Sequence, residues 1–150
     1  MPKICSSRRR WTTALAACIL AVPAGVLSAQ NIGTTSADGT TLAGVYTAVQ
    51  AARGGNTYAG MCRSCHTPES HTGATFRKWW EKKRVADLYQ FIGEKMPKND
   101  PGTLSYEDTA DVVAYLLKMN AMPAGAQELP PDSAALAKIR IVTLKKGKKP

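Results

Sequence analysis

The pentapeptide Cys62-Arg63-Ser64-Cys65-His66 constrains this 150-residue chain more than any other stretch. Two thiols three positions apart sit about one helical turn apart on one side of the backbone, with an imidazole directly behind them. Cysteines that close cannot staple distant parts of a fold. The other two cysteines, Cys5 and Cys18, fall in an N-terminal segment that reads as a secretion signal. Lys3, Arg8, Arg9 and Arg10 form its basic region, an apolar run follows from Trp11 to Leu27, and the small residues Ser28 and Ala29 precede Gln30. Residues 1–29 are therefore expected to be a signal peptide, and the location periplasmic. The alternative is an uncleaved anchor facing the periplasm, but Pro23 and Gly25 interrupt a run barely long enough to span a bilayer. Leu15-Ala16-Ala17-Cys18 resembles a lipoprotein box and Ser7-Arg8-Arg9-Arg10-Trp11 a twin-arginine signal. Residues after Cys18 stay apolar, which argues against lipidation; an ordinary secretory route is favoured, and membrane association is expected only if the segment is uncleaved or lipidated. Without the signal, Cys62 and Cys65 are the only cysteines left, so an exported domain this small must draw stability from something other than disulfides.

Cleavage also lowers the formal net charge from +9 to +5, with four lysines between Lys145 and Lys149. The body is thus close to neutral, and no basic stripe interleaved with aromatics points to nucleic acid. Residues 30–43, rich in Thr, Gly and Ser, read as a flexible linker. Thr47 and Gln50 have capping-box spacing, and an Ala-rich helix runs from Ala48 to about Met61. Gly54 and Gly55 interrupt it at about 1 kcal/mol each, which implies another element packed close against the backbone. Thr67–Thr75 reads as irregular. Arg84–Ile92 reads as a short amphipathic helix carrying Val85, Leu88, Tyr89 and Ile92, with Gly93 at its end. A loop from Glu94 to Leu104 holds Met96-Pro97. Ser105 and Asp108 then open the strongest helix, with Val112, Tyr115, Leu116 and Met119 along one face. Residues 121–150 form an irregular extension with a basic tail, in which Ile139–Val142 is expected to be an extended piece laid over the domain. The fold class is all-α, with three to five short helices and little core of its own.

CxxCH is the attachment signature of c-type haem: the two thiols reach neighbouring vinyl groups as thioethers, and the adjacent histidine points at the iron. A zinc site would need four ligands, and Cys62, Cys65, His66 and His71 are too compressed to organise a fold. A redox CxxC leaves His66 without a role. One covalent haem c, held by Cys62 and Cys65 with His66 as axial ligand, is therefore expected. Candidates for the other axial position are Met61, Met96, Met119, Met122 and His71. Met61 abuts the attachment site, Met119 belongs to a helix face that reads as core, Met122 follows it directly, and His71 is only five residues past His66. Met96, thirty residues downstream, stiffened by Pro97 and set between two helices, is the favoured ligand.

Over residues 44–120 the chain resembles the class I cytochromes c, in which CxxCH follows the first helix and a Met-Pro loop precedes the last. In that family the end helices cross through a Gly-x-x-x-aromatic contact, matched here by Gly54 and Tyr58 with Tyr115 opposite. The wording is similar to the small monohaem cytochromes found beside quinoprotein alcohol dehydrogenases, through Gly44–Thr47, Gln50–Gly54, Lys95–Pro97, Asp111–Leu117 and Glu128–Pro130. The resemblance implies a cytochrome c-like domain wrapped around one haem, with Tyr115 packed near it. It also implies a proline carbonyl that accepts the His66 Nδ1–H bond. Thr67-Pro68 stands where many relatives have glycine. Trp79 and Trp80 read either as core or as indole donors to a haem propionate, with nothing to choose between them.

With His66 and Met96 both bound, no iron position stays open, so the expected function is one-electron transfer between redox proteins and not catalysis. A quinoprotein dehydrogenase as donor and a terminal oxidase as acceptor are the partners the resemblance implies. Lys78, Lys82, Lys83, Lys95 and Lys98 are expected around an exposed haem edge. Two other readings stay open: a haem with a labile sixth ligand, giving peroxidase-like or gas-binding activity, and a haem-carrying subunit of a larger dehydrogenase complex.

Overall fold

A computed structural model describes residues 39–144; the expected signal segment, most of the expected linker and the terminal lysines lie outside the described residues. Among the described residues there are five α-helices and no strand: α1 (Ala48–Thr57), α2 (Gly73–Trp80), α3 (Val85–Lys95), α4 (Tyr106–Met119) and α5 (Ser133–Leu136). The expected all-helical class holds.

Helix α1 starts where Thr47 Oγ1 accepts from the Gln50 N–H at 3.0 Å. The reciprocal half of the capping box does not form. Instead the buried Gln50 side chain donates to the Leu129 carbonyl at 2.9 Å and accepts its N–H at 2.8 Å. Two backbone groups of the C-terminal segment are thereby satisfied inside the core. Helix α1 continues into a π turn, Tyr58–Cys62, closed by Arg63 N–H on the Tyr58 carbonyl at 3.1 Å.

Helices α1 and α4 cross at the glycines. A Cβ on Gly54 would run into the Asp111 carbonyl, so only glycine allows this approach. The Tyr115 ring covers Gly55 and stacks, tilted, on Tyr58 with centroids 5.3 Å apart. Beside the crossing, Arg53 grips both carboxylate oxygens of Asp111, at 2.7 and 2.9 Å, and both of Glu128, at 2.9 Å each. These bonds hold the guanidinium proton more tightly than usual, and they hold the Glu128 carboxyl below the ordinary glutamate value.

Helix α4 is capped as expected, with Ser105 Oγ accepting the Asp108 N–H at 3.0 Å. Three local expectations fail. The end of the expected linker joins the fold: Thr41 is buried and opens a 3-10 turn, Thr41–Ala43, because its N–H and hydroxyl donate to the Arg140 and Val142 carbonyls. Residues 73–80, read as irregular in part, form α2, where Phe76 is buried one turn from Trp79 and Trp80. Helix α3 also passes through Gly93 to Lys95, because Gly93 faces the Thr109 side chain of α4 and serves packing, not termination.

The C-terminal segment supplies Leu129, Leu136, Ile139 and Ile141 to the same buried core as α1, α3 and α4. Ile139–Val142 runs extended, as expected, between two partners. Arg140 N–H donates to Gly39 at 2.7 Å and Thr41 N–H to Arg140 at 3.0 Å on one side. On the other, Lys82 N–H donates to Ile141 at 2.8 Å, Ile141 N–H to Lys83 at 2.8 Å and Val85 N–H to Ile139 at 2.9 Å.

Candidate haem site

The π turn ends on Cys62, and the chain coils on: the Cys65 and His66 N–H groups both donate to the Cys62 carbonyl, at 3.1 and 2.9 Å. This tight turn turns both thiols and the imidazole toward one cavity of about 1050 Å³. Around it stand Phe76, Trp79 and Trp80 of α2, Leu88, Phe91 and Ile92 of α3, and Val112 and Leu116 of α4. Met96, the C-cap of α3, and the turn after it complete the wall. That volume is at the upper end for ligand pockets and suits a large, flat, mostly apolar group.

Cys62, Cys65, His66, Met96, Trp79 and Trp80 thus line one cavity. Tyr115 does not: its ring is taken up by the helix crossing and reaches the cavity only through Tyr58. Both cysteines are free thiols, and burial pushes that of Cys62 up. The Tyr58 hydroxyl donates to the His66 carbonyl at 3.2 Å and fixes the backbone behind the imidazole. Among the described residues no bond joins the His66 imidazole to the Pro68 carbonyl; Pro68 instead opens a 3-10 turn, Pro68–His71.

His71 enters the same cavity, with its ring centroid 4.7 Å from that of His66. Burial, then the nearby His66 charge, lowers its pKa. Its backbone is tied to the end of α4, because Asn120 donates to the His71 carbonyl at 2.9 Å and accepts the Gly73 N–H at 3.1 Å. Met119 and Met122 take no part in the lining. Met119 packs against the core, and Met122 is buried with its carbonyl accepting from the Tyr46 hydroxyl at 2.6 Å.

The two tryptophans differ. Trp80 is half-buried against Phe91, with centroids 5.5 Å apart, whereas Trp79 is 57% exposed. Sequence reasoning missed Phe76, Leu88, Phe91, Val112 and Leu116 as cavity wall. The i, i+3, i+4 spacing of Phe76 with Trp79 and Trp80 was the available signal, and the intervening Arg77 and Lys78 obscured it.

The cavity's size, its apolar wall, two unpaired thiols beside an imidazole, and the thioethers of Met61 and Met96 in the same wall fit a covalently attached haem. A bare ion fits less well: among the described residues no group of three or more His, Cys, Asp or Glu side chains is placed to hold one. Residues 49–116, from α1 into α4, match the family model described as cytochrome c oxidase, cbb3-type, subunit III. Fold, cavity and this match define a c-type cytochrome domain that takes covalent haem c and works in haem-based electron transfer. No curated protein and no solved structure matched.

Proposed function

We propose that this protein is a periplasmic monohaem electron carrier of the class I type, with Cys62 and Cys65 as thioether anchors and His66 and Met96 as axial ligands. The single observation that carries this reading is the presence of Met96, far from the CxxCH turn in sequence, in the wall of the same cavity. His71 is the weaker candidate. Nitrogens on opposite sides of one metal ion lie about 4 Å apart, and their ring centres farther still. Centroids 4.7 Å apart describe neighbouring rings better than rings facing each other across a cofactor plane.

When bound, haem c supplies reversible one-electron exchange between ferric and ferrous iron. The chain's own residues set the conditions for it. Met96 and His66 would hold the iron and leave small molecules no position on it, and Leu88, Ile92, Val112 and Leu116 would surround the group with apolar side chains. An apolar wall and a thioether both disfavour the extra charge of the ferric state and so raise the potential. Trp80, half-buried, is the better placed of the two indoles to hold a fixed position toward a propionate.

Export rests on the basic-apolar-small pattern of residues 1–29. No helix among the described residues is long and apolar enough to cross a membrane. The donor proposed is a quinoprotein dehydrogenase and the acceptor a terminal oxidase. A second reading, a haem subunit held within an oxidase or dehydrogenase complex, is favoured by the name of the matched family. Copurification with an intact partner at high salt would select it over a free shuttle.

The test of the carrier reading is spectroscopic. Oxidised wild type is expected to show the weak near-infrared thioether-to-iron charge-transfer band, and Met96→Ala to lose it. Reduced wild type is expected to resist carbon monoxide and Met96→Ala to bind it. Ready binding by the wild type would overturn the assignment.

A further inference from the structure

We infer that the corner between α2 and α3, widened by the C-terminal extended segment, is the docking face for an acidic region of the redox partner. The inference rests on the carrier reading and adds where and by what chemistry the partner is met.

The first observation is a charge asymmetry. Arg77, Lys78, Lys82, Lys83, Arg84, Lys138 and Arg140 are all exposed at this corner, against the acidic Glu81 and Asp87. The rest of residues 39–144 carries five basic and eight acidic side chains, so its balance is negative. Elsewhere around the cavity the positive charges have nearby counterparts: Lys95 is paired with Glu94 at 3.5 Å, and Lys98 is two residues from Asp100. The basic surface is therefore one-sided, not the ring that Lys78, Lys82, Lys83, Lys95 and Lys98 suggest in sequence.

The second observation is position. Trp79, Trp80 and Lys83 belong both to the corner and to the cavity wall. Lys78 Nζ lies 5.5 Å from the centroid of the exposed Trp79 ring, and Lys83 Nζ 5.0 Å from that of Trp80. Cations over partly exposed indoles beside a redox cavity give a partner both charge and apolar contact. The third is rigidity. The backbone bonds from Lys82, Lys83 and Val85 to Ile139 and Ile141 hold the corner, and Arg140 Nη1 donates to the Lys82 carbonyl at 3.4 Å. A preformed charged surface loses little entropy on docking.

The probes are two small redox ions, ferricyanide and tris(phenanthroline)cobalt(III), mixed in stopped flow with the reduced holoprotein. At low ionic strength Lys78→Glu and Lys82→Glu are each expected to slow oxidation by ferricyanide roughly three- to tenfold and to speed oxidation by the cobalt cation. High salt should abolish both effects. Lys118→Glu, the same charge change in the last turn of α4 and outside the cavity lining, should alter neither rate. Midpoint potential and the near-infrared band should stay unchanged in all three variants, which separates docking from damage to the haem. Equal rate changes at Lys118 and Lys78 would overturn the docking face and leave the carrier reading standing. Wild type that exchanges electrons with neither ion would overturn both. Sedimentation of wild type but not Lys82→Glu with phosphatidylglycerol vesicles at physiological salt, without slowed ferricyanide oxidation in that variant, would assign the corner to a lipid surface and overturn the protein-partner proposal.

Discussion

Trp79 and Trp80 are neighbours in sequence with opposite surroundings, and they show what a residue's identity does and does not convey. Trp80 packs edge-on against Phe91 and closes the cavity wall, while Trp79 is mostly in water. Trp80→Ala is accordingly expected to cost about 2–4 kcal/mol, somewhat less than a fully buried aromatic, and Trp79→Ala under about 1 kcal/mol. Guanidinium unfolding of the two holoprotein variants checks the difference, and equal losses would refute it. The CxxCH residues and Met96, which line one cavity, were singled out in the sequence by residue type and spacing. Tyr115 was legible as a helix-crossing aromatic but not as one set back from the cavity, since that depends on which side of Tyr58 its ring lies.

At the scale of elements, the crossing of α1 and α4 positions everything downstream of it. It orients the π turn that presents Cys62, and it sets the Val112–Leu116 wall opposite. The two glycines of α1 carry an intrinsic helix cost of about 1 kcal/mol each, offset by the close approach they permit. Gly54→Ala drives a Cβ into main chain that cannot step aside, so a loss of about 3 kcal/mol or more is expected. Gly60→Ala meets nothing within 4 Å and is expected to be neutral or stabilising by up to about 1 kcal/mol. Thermal melts of both variants test the pair, and comparable destabilisation would contradict the crossing geometry. Helices α1, α3 and α4 were readable because caps and apolar periodicity agree. Helix α2 was harder, because Gly73 opens it without a side-chain cap and two cations interrupt its apolar face. The end of α3 was misplaced because a glycine reads alike whether it stops a helix or lets another pack on it.

For the whole molecule, the C-terminal segment is structure that the amino-acid pattern reads as appendage. Leu129, Leu136, Ile139 and Ile141 are each at most 7% exposed. Burial of each contributes about 1.5–3 kcal/mol, so together they rival the usual total stability of about 5–15 kcal/mol. A chain ending at Asn120 is expected to lose its cooperative unfolding transition by calorimetry, and an intact transition would show the extension to be dispensable. The Arg53–Glu128 tie adds a pH dependence. Glu128 is held below its ordinary 4.5, so the stability it contributes is fully present above that pH and is lost as pH falls through the lower folded-state value. Melting temperature should fall less steeply below about pH 4.5 in Glu128→Gln than in wild type; identical slopes would show that the tie contributes nothing. What the sequence determined alone was local: attachment chemistry, helix caps and the all-helical class, each set by residues within one or two turns of one another. Tertiary structure decided which aromatics wall the cavity, that the last twenty-odd described residues supply side chains to the core, and that the basic side chains gather at one corner. Those outcomes depend on pairings such as Gln50 with Leu129 and Lys82 with Ile141, whose partners lie too far apart in the chain for any local pattern to encode.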